Sequence, residues 1–383
     1  MKKVLVITYY WPPSAGAGVQ RWLKFTKYLR HTGWEPIIYT PYNPEYPGYD
    51  PSLEKDVPQG VQVIRRPIRE PYQLYKLLTG RAPEEKVQAG FLNEKRKPGT
   101  LESLAIWLRG NLFIPDARKW WISPSVTFLS RWLQEHPVDA IVSTGPPHSM
   151  HLIALGITRK LDIPWLADFR DPWTQIDFYH HLKLTAWADR RHKWLEKQVL
   201  THTDAVVTVS PHCAKGLRDL VERHIEVITN GFDPDDFSHL KPFKYDSFSI
   251  THLGSMNADR NPQNLWKVLG QMVQKDDFFR QHLRIRLIGK TDIRVMESLE
   301  QHQLTAYVEN LQYLPHDEAI SRAGQSAILL LPLNNPRNVM GIAPGKLYEY
   351  LAMQRPILCI GPPQGDAAAI IHDTRSGSTI GFE

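Results

Sequence analysis

The sequence has only two cysteines in 383 residues, and it contains no apolar run of membrane-spanning length. Cys213 and Cys359 lie far apart, so neither a disulfide framework nor a CxxC metal motif is predicted. A helix that crosses a bilayer needs about 18 consecutive apolar residues. The N-terminal segment carries two lysines, but Pro12 and Pro13 interrupt it before it is long enough for a signal peptide. We therefore expect a cytoplasmic protein whose Lys3–Tyr9 segment forms a buried strand.

The sequence also lacks zinc-finger spacing and RNP-type strands, so we expect no nucleic-acid partner. The formal charge is +6 and the pI about 9.1, a moderately basic balance that suits phosphate-bearing ligands or an anionic membrane surface. Aromatic residues are numerous, with 12 Trp and 15 Tyr, and many lie beside basic residues in the first half.

Short apolar segments alternate with helical patterns along nearly the whole chain. The apolar segments are rich in β-branched residues, which is typical of parallel strands covered by helices on both faces. Strands are predicted at Val4–Thr8, Glu35–Thr40, Val61–Ile64, Asp139–Ser143, Trp165–Asp168, Ala205–Val209, Glu226–Thr229, Phe248–Leu253, Leu283–Ile288, Glu309–Tyr313, Ala327–Leu331 and Pro356–Ile360. Helices are predicted at Val19–His31, His148–Leu161, Leu182–Leu200, Pro211–Leu220, Asn261–Gln274, Ile293–His302, Pro315–Gly324 and Gly345–Met353. The pattern predicts an α/β fold.

The length and one lapse in the pattern predict two domains. Residues 232–247 are polar, contain proline and show no periodicity, so we place a linker there and the domains at 1–237 and 238–383. A ligand is expected in the cleft between them, at the carboxyl ends of the strands. Residues 66–135 form a basic, aromatic insert. The sequence ends on a strand-like segment without a closing helix, so either the last helices are absent or the natural chain is longer.

Three segments have the composition of anion-binding loops. In the first βα turn, Gly16 and Gly18 let the backbone approach a ligand, although a dinucleotide fingerprint would need a third glycine where Arg21 stands. Gly254 follows a strand of the second domain, and Arg260 precedes a helix, where it could bind a phosphate with a bidentate fork. The alternatives are a flexible connection in the first loop and a solvated arginine in the second.

Together with the third segment, Gly345–Ala352, this order of motifs resembles the GT-B glycosyltransferases. It is most similar to family 4, whose members are retaining enzymes with nucleotide-sugar donors. Asn230–Asp233 and Gly345–Ala352 are the most specific matches. The segments Ser143–Ser149 and Ala167–Trp173 resemble a subgroup that builds bacterial polysaccharides. The resemblance implies two Rossmann-like domains that face each other across a cleft.

For the donor site, the resemblance implies that Lys346 and Arg260 bind the diphosphate and that Glu349 binds the ribose. The family has a second carboxylate where this chain has Gly341, so the sugar stays unidentified, and backbone N–H groups at 341–343 could replace that carboxylate. The expected donor-binding residues are Gly16, Gly18, Gly254, Arg260, Gly341, Ile342, Ala343, Gly345, Lys346, Leu347 and Glu349.

For the acceptor side, the resemblance places Arg170 and Asp171 where the family has a His-Asp pair. Asp171 or Asp168 would orient the acceptor hydroxyl or take its proton, Arg170 would hold a phosphate or a sugar hydroxyl, and His148 is a further contact. The alternative is that residues 168–171 form an internal salt bridge that fixes the loop.

Several other motifs receive structural interpretations. Asp233–Asp235 matches a DxD metal motif but is interpreted as a turn, so neither a metal nor another cofactor is expected beyond the nucleotide-sugar co-substrate. His180 and His181 are expected at the surface, and residues 190–197 on a solvated helix face. In the insert, Leu104, Trp107, Leu108 and Leu112, with Arg109 and residues 118–121, either dock on a membrane interface or pack inside the domain.

The sequence therefore predicts a glycosyltransferase that moves a hexose-type sugar to a glycan or polyprenyl-linked acceptor, in the cytoplasm or on the inner face of the membrane. Two alternatives stay open. A sugar-nucleotide epimerase of the same architecture would need several carboxylates and histidines around the sugar. A two-lobed solute-binding protein would need an export signal.

Overall fold

The computed structural model describes residues 1–46, 48–71, 100–177, 179–238, 240, 247–312, 314–336 and 338–383. The chain forms two compact units, Met1–Thr229 and Asn230–Glu383, so the division falls eight residues before the predicted boundary at 237/238. Part of the predicted linker belongs to the second unit, because Phe237 and Leu240 pack against its core. Most of the remaining linker, 241–246, and residues 72–99 of the predicted insert lie outside the described residues.

The first unit is built on a parallel sheet. Its described strands are β1 (Lys2–Ile7), β2 (Trp34–Pro41), β3 (Gln62–Arg66), β4 (Ala140–Gly145), β5 (Trp165–Phe169), β6 (Ala205–Thr208) and β7 (Glu226–Val227), in the spatial order 3-2-1-4-5-6-7. The helices are α1 (Ala17–Leu29), α2 (Thr100–Leu112), α3 (Lys119–Glu135), α4 (Ser149–Thr158), α5 (Ala186–His202) and α6 (Pro211–Leu220). Strand order reverses between β1 and β4, which is the switch point where doubly wound sheets bind ligands.

Helix α3 lies inside the segment that the sequence analysis treated as an insert. It packs Trp121, Leu129 and Leu133 into the core of the first unit. The Trp121 ring stacks on Tyr39 of β2 at 4.9 Å, and the Tyr39 hydroxyl donates a hydrogen bond to Ser125 at 2.8 Å. Between 119 and 135 the chain is therefore part of the domain core, as the packing interpretation of the insert predicts.

The second unit has a parallel sheet of the same kind. Its described strands are β8 (Phe248–Leu253), β9 (Leu283–Ile288), β10 (Val308–Leu311), β11 (Ile328–Pro332), β12 (Ile357–Ile360) and β13 (Gly377–Ile380), in the order 10-9-8-11-12-13. The helices are α7 (Gln263–Lys275), α8 (Asp277–His282), α9 (Ile293–Gln301), α10 (His316–Gly324), α11 (Gly345–Ala352) and α12 (Asp366–Asp373). Apolar clusters cover both faces of the sheet, as the β-branched strands predict. The prediction of two Rossmann-like α/β domains is confirmed.

Candidate active site

The two glycines of the first βα turn have different physical roles. Gly16 precedes α1 with φ of +103°, a conformation that favours glycine, and the position of a Cβ there would meet nothing within 4 Å. A Cβ on Gly18 would lie 2.8 Å from the Tyr10 ring and 3.3 Å from the Arg170 guanidinium. Gly18 is therefore required for packing, and only Gly16 has open space beside it for a ligand.

Arg170 connects two loops at the carboxyl edge of the first sheet. Its Nη1 donates to the Gly18 carbonyl and its Nη2 to the Pro146 carbonyl, each at 2.9 Å, and its Nε lies 3.7 Å from the Asp171 carboxylate. The side chain is about one-tenth exposed. The guanidinium holds the two loops together through these contacts. For it to bond directly to a phosphate or a sugar hydroxyl, some of these contacts would have to break.

Asp168 is fully buried and has donors on both carboxylate oxygens. Arg21 donates two hydrogen bonds to it at 3.2 Å, Trp22 Nε1 donates at 2.7 Å and the Thr144 hydroxyl at 3.0 Å. The surroundings leave no exposed oxygen for an acceptor. An internal salt bridge is therefore present, but it joins Asp168 to Arg21 of α1 and not to the neighbouring Arg170.

Arg21 was not among the predicted site residues. Besides its pairing with Asp168, it donates hydrogen bonds to the carbonyl oxygens of Ile228 and Thr229, each at 2.9 Å. It thus ties α1 and the end of β5 to the last residues of the first unit. No local pattern marks such an arginine, because its partners lie 147 and 208 residues away along the chain.

Asp171 is the predicted carboxylate that stays accessible. About half of its side chain is exposed. The dense protein around the carboxylate raises its pKa, and the nearby Asp177 acts in the same direction, while Arg170 opposes the shift. A carboxylate with a raised pKa is a stronger base, so Asp171 is suited to orient a hydroxyl and accept its proton.

His148 is buried directly before α4, as predicted for a residue at that helix start. Its ring stacks on Trp173 at 4.7 Å with an interplanar angle of 2°. Burial lowers its pKa well below the usual value, and His151, His192 and Arg170 lower it further. Its Nδ1 has no hydrogen-bond partner within the part of the chain that the structure describes. The ring is therefore neutral, and it acts on the loop through stacking.

In the second unit, a lysine and a helix start meet at one turn. Gly254, at φ of +100°, follows β8, and the position of its Cβ would be 3.0 Å from Lys346 Nζ. The position of a Cβ on Gly345 would meet nothing within 4 Å, so open space lies at the N-terminus of α11. Within the described ranges, neither the N–H groups of Gly345 and Lys346 nor the Lys346 amine has a hydrogen-bond acceptor. N–H donors without acceptors at a helix N-terminus, with open space beside Gly345, are suited to bind an anion.

Arg260 is anchored beside this lysine. Its Nε donates to Asn334 Oδ1 at 2.8 Å and its Nη1 to the Ser255 carbonyl at 3.1 Å, so it is not a loosely solvated loop residue. Burial lowers the pKa of Lys346 to about 7; the Arg260 charge contributes to this, and Glu349 opposes it. Two neighbouring cations disfavour each other's charge until an anion lies between them.

Glu349 lies on the same helix, one turn after Lys346. Its Oε1 is 3.3 Å from Nε2 of His316, and each side chain is less than a quarter exposed. His316 was not predicted. The next residue, Tyr350, fixes the helix to the sheet, because its hydroxyl accepts from the Leu253 N–H at 2.9 Å and donates to the Leu330 carbonyl at 3.3 Å.

Backbone N–H groups at 341–343 were predicted to replace the missing carboxylate, and two of these three are already bonded within a turn. The Gly341 N–H donates to the Asn338 carbonyl and the Ile342 N–H to the Val339 carbonyl, both at 3.1 Å, so these two close a turn. Among described residues, the Ala343 N–H has no such acceptor. Leu347 is wholly buried and its N–H donates to the Pro344 carbonyl at 2.9 Å. Leu347 therefore belongs to the core and not to a ligand-facing surface.

Two further motifs, Asp233–Asp235 and His180–His181, were considered as possible metal ligands. Asp233 accepts a hydrogen bond from the Asp235 N–H at 3.2 Å and begins a short 3-10 helix, as a turn would. His180 and His181 are exposed. Within the described ranges, no group of three or more His, Cys, Asp or Glu side chains could hold a metal ion.

The aromatic surface of the predicted insert divides into buried and exposed parts. Trp121 is in the core, and Arg118 forms a buried ion pair with Glu70 at 3.0 Å. Four apolar side chains are exposed: Leu104, Trp107, Leu112 and Trp120. Packing inside the domain is therefore confirmed for Trp121, whereas docking of the exposed side chains on a membrane stays a prediction. In the part of the chain that the structure describes, no helix has the length and apolar character of a membrane span.

Two Rossmann-like domains are the architecture that the resemblance to the GT-B glycosyltransferases implies. The family model of the glycosyl transferase 4-like domain matches residues 16–231, more than half of the chain, and the chain belongs to that family. It is therefore a glycosyltransferase. A comparison with curated proteins finds no match.

Solved structures support the same fold. The chain is similar to sucrose-phosphate synthase from Thermosynechococcus elongatus, with a TM-score of 0.62, 12% identity and coverage of 100% of this chain and 86% of that one. TarM from S. aureus gives a TM-score of 0.59 at 11% identity, with coverage of 100% and 90%. HepE from Anabaena gives 0.55 at 12% identity, with coverage of 97% and 83%. The match to the family model favours a glycosyltransferase over an epimerase or a solute-binding protein.

Proposed function

We propose that the protein transfers a hexose-type sugar from a nucleoside diphosphate donor to a glycan or polyprenyl-linked acceptor, with retention of configuration, in cell-surface polysaccharide synthesis. The observation that carries this proposal is the turn formed by Gly254, Arg260, Gly345 and Lys346 in the second unit. Two structural relatives point the same way: the HepE structure is in complex with UDP and glucose, and the TarM structure contains UDP.

The donor diphosphate would lie against the N-terminus of α11. Negative charge develops on the leaving diphosphate as the glycosidic bond breaks, so Lys346, Arg260 and the helix N-terminus stabilise the transition state more than the ground state. This positive charge is supplied by the chain itself, and the proposed reaction needs no metal ion. Glu349 would accept hydrogen bonds from the ribose hydroxyls, with His316 holding the carboxylate in place.

The acceptor would be oriented by Asp171. It is the accessible carboxylate of the segment 168–171, and its raised pKa suits a group that takes the acceptor proton. Arg170, His148 and Asp168 act as positioning residues, because their polar and stacking contacts are made to neighbouring loops. No protein group attacks the anomeric carbon of the donor sugar in this scheme. The acceptor oxygen forms the new bond on the face that the diphosphate leaves, the bond from the sugar to the diphosphate breaks, and the acceptor proton goes to Asp171.

A thermal-shift screen against UDP, GDP, dTDP and ADP tests the donor site. At least one nucleotide should stabilise the protein, by about 2.7 kcal/mol at one hundred times its dissociation constant. At the same nucleotide concentration, the Lys346→Ala variant should lose about half or more of this stabilisation. If no nucleotide stabilises the wild type, the proposed donor site is wrong.

We also propose that the enzyme acts at the inner face of the cell membrane as a peripheral protein. A polyprenyl-linked acceptor would be found there, and the moderately basic charge of +6 favours an anionic surface. Nucleic acid has no place in this proposal.

A further inference from the structure

Helix α5 has an outward face that combines tryptophans with positive charge. Trp187, Arg190, Arg191, Trp194 and Lys197 are all exposed, and they recur at helical spacings of three and four residues. Trp187 is 62% and Trp194 46% exposed, although indoles of this size are usually covered. The two tryptophans lie about 10 Å apart along the helix axis. The sequence predicted only a solvated helix face at 190–197, whereas the structure shows exposed tryptophans among the basic residues.

The charge of this face has one sign. Four cations are exposed on the helix, Arg190, Arg191, Lys193 and Lys197, while one of its two carboxylates is paired with Lys193 and the other is buried. Asp189 accepts hydrogen bonds from Lys193 at 2.7 Å and from Tyr179 at 3.0 Å. Glu196 is buried on the opposite side, where the Thr174 hydroxyl donates to it at 2.5 Å. A surface with four cations and one paired carboxylate is complementary to an anionic partner.

The face is held rigidly. The opposite side of α5 buries Leu195, Val199 and Leu200 in the core of the first unit, and His192 accepts a hydrogen bond from Trp173 Nε1 at 3.1 Å. The outward side chains are therefore presented on a fixed helix, and binding does not need to order a loop.

Helix α2 adjoins the start of α5 and adds aliphatic surface. Asn111 of α2 accepts a hydrogen bond from the Thr185 N–H at 2.7 Å and donates one to the Lys183 carbonyl at 3.2 Å. Near this junction α2 exposes Trp107 and Leu112, and one turn earlier Leu104. Aliphatic carbons gain free energy in lipid but not against the hydroxyls of a soluble polymer.

We propose that the outward face of α5, extended by the exposed side chains of α2, docks the enzyme on a bilayer of anionic phospholipid. Tryptophan at the interface and arginine or lysine near the headgroups are the contacts that such a surface provides. Arg191 also lies over the Trp194 ring at 4.4 Å, so the two side chains would enter the interface together. This inference rests on the proposed peripheral association with the membrane and identifies the surface that would make the contact.

Vesicle co-sedimentation of the full chain tests the proposal with matched variants. The wild type should bind vesicles containing phosphatidylglycerol, bind pure phosphatidylcholine weakly, and be released by salt. R190E/R191E should reduce binding about tenfold or more. K215E/R218E reverses two exposed charges on α6 of the same unit and should bind like the wild type. W187S/W194S should also bind more weakly, because the indoles no longer enter the interface.

Three results would overturn the proposal: no binding by the wild type, equal binding by R190E/R191E, or equal losses in both charge-reversal variants. If the wild type binds a soluble anionic polysaccharide but no vesicles, the surface is a polymer site and the membrane proposal fails. Nucleotide-induced thermal shifts, measured on the same samples, separate this outcome from failure of the proposed transfer reaction. All four proteins should keep the shift, because no changed residue belongs to the donor site.

Discussion

The two units differ in whether the buried charged residues of their candidate sites have a partner. In the first unit, Asp168 and Arg170 are bound to other parts of the same unit, and Asp171 alone among the residues of this segment has a half-exposed carboxylate. In the second unit, Lys346 has no hydrogen-bond acceptor among the described residues, and its pKa is lowered to about 7. Buried charge that is paired holds a loop, whereas a cation without a partner is ready to bind a ligand.

The largest effect is expected from breaking the buried pair of the first unit. Asp168→Asn leaves the Arg21 charge buried without its counter-ion, which should lower the free energy of unfolding by about 3–5 kcal/mol. Chemical denaturation measures it. Asp171→Asn is the matched control two residues away, and it should change the stability by less than about 0.5 kcal/mol. Equal stability losses in the two variants would contradict the assignment of a positioning role to Asp168.

The next effect concerns turnover. If Asp171 orients the acceptor hydroxyl and takes its proton, Asp171→Asn should reduce kcat about 10²-fold, because the amide cannot accept the proton. Nucleotide affinity should stay at the wild-type value, since no donor-site residue changes. A loss of nucleotide affinity with unchanged kcat would remove Asp171 from the acceptor side.

In the second unit, the expected effect is on donor binding. Lys346→Ala and Glu349→Ala should each weaken nucleotide binding about tenfold or more, the loss of a charged hydrogen bond being about 1.5–3 kcal/mol. Isothermal titration calorimetry measures the affinity. Lys267→Ala, an exposed lysine on α7, serves as the control and should bind normally. Normal binding by folded Lys346→Ala would refute the diphosphate role.

The difference between the units also explains which features the sequence could predict. Strands β8 and β9 and helix α6 have the predicted bounds residue for residue, because their apolar periodicity is strong and their ends are marked. Helix α3 was not assigned, since Trp120 and Trp121 were included in a basic, aromatic insert that would either dock on a membrane or pack inside the domain. The short helices α8 and α12 were not assigned because too few residues carry the pattern, whereas the strand-like segment at the end of the sequence corresponds to β13.

The same reasoning applies to the site. Gly345, Lys346 and Glu349 lie within one helix turn and a half, so a local motif was enough to group them. The Arg21–Asp168 pair joins residues 147 positions apart, and His316 reaches Glu349 across 33 positions. Only the topology of the sheets brings such pairs together. Local sequence thus groups the candidate donor-site residues of the second unit, whereas the internal contacts of the first unit follow only from the fold.

The smallest expected effect is a pH dependence that follows from the unpaired lysine. In the ligand-free protein, burial and Arg260 lower the pKa of Lys346 to about 7. A bound diphosphate favours the charged amine and raises that pKa again, so binding takes up a proton above pH 7. The affinity should be full below about pH 7 and fall as the pH rises through it, by at most about tenfold per pH unit.

Lys346→Arg provides the matched comparison, because a guanidinium stays charged over this range. The variant keeps the positive charge, so the difference in nucleotide affinity between it and the wild type should grow from pH 6.5 to pH 8.5. Titration of the nucleotide phosphates is common to both proteins and cancels in the comparison. If nucleotide affinity depends on pH in the same way in both proteins, Lys346 is already charged in the ligand-free protein. The two units would then differ in the hydrogen bonds of their buried cations but not in the protonation of those cations.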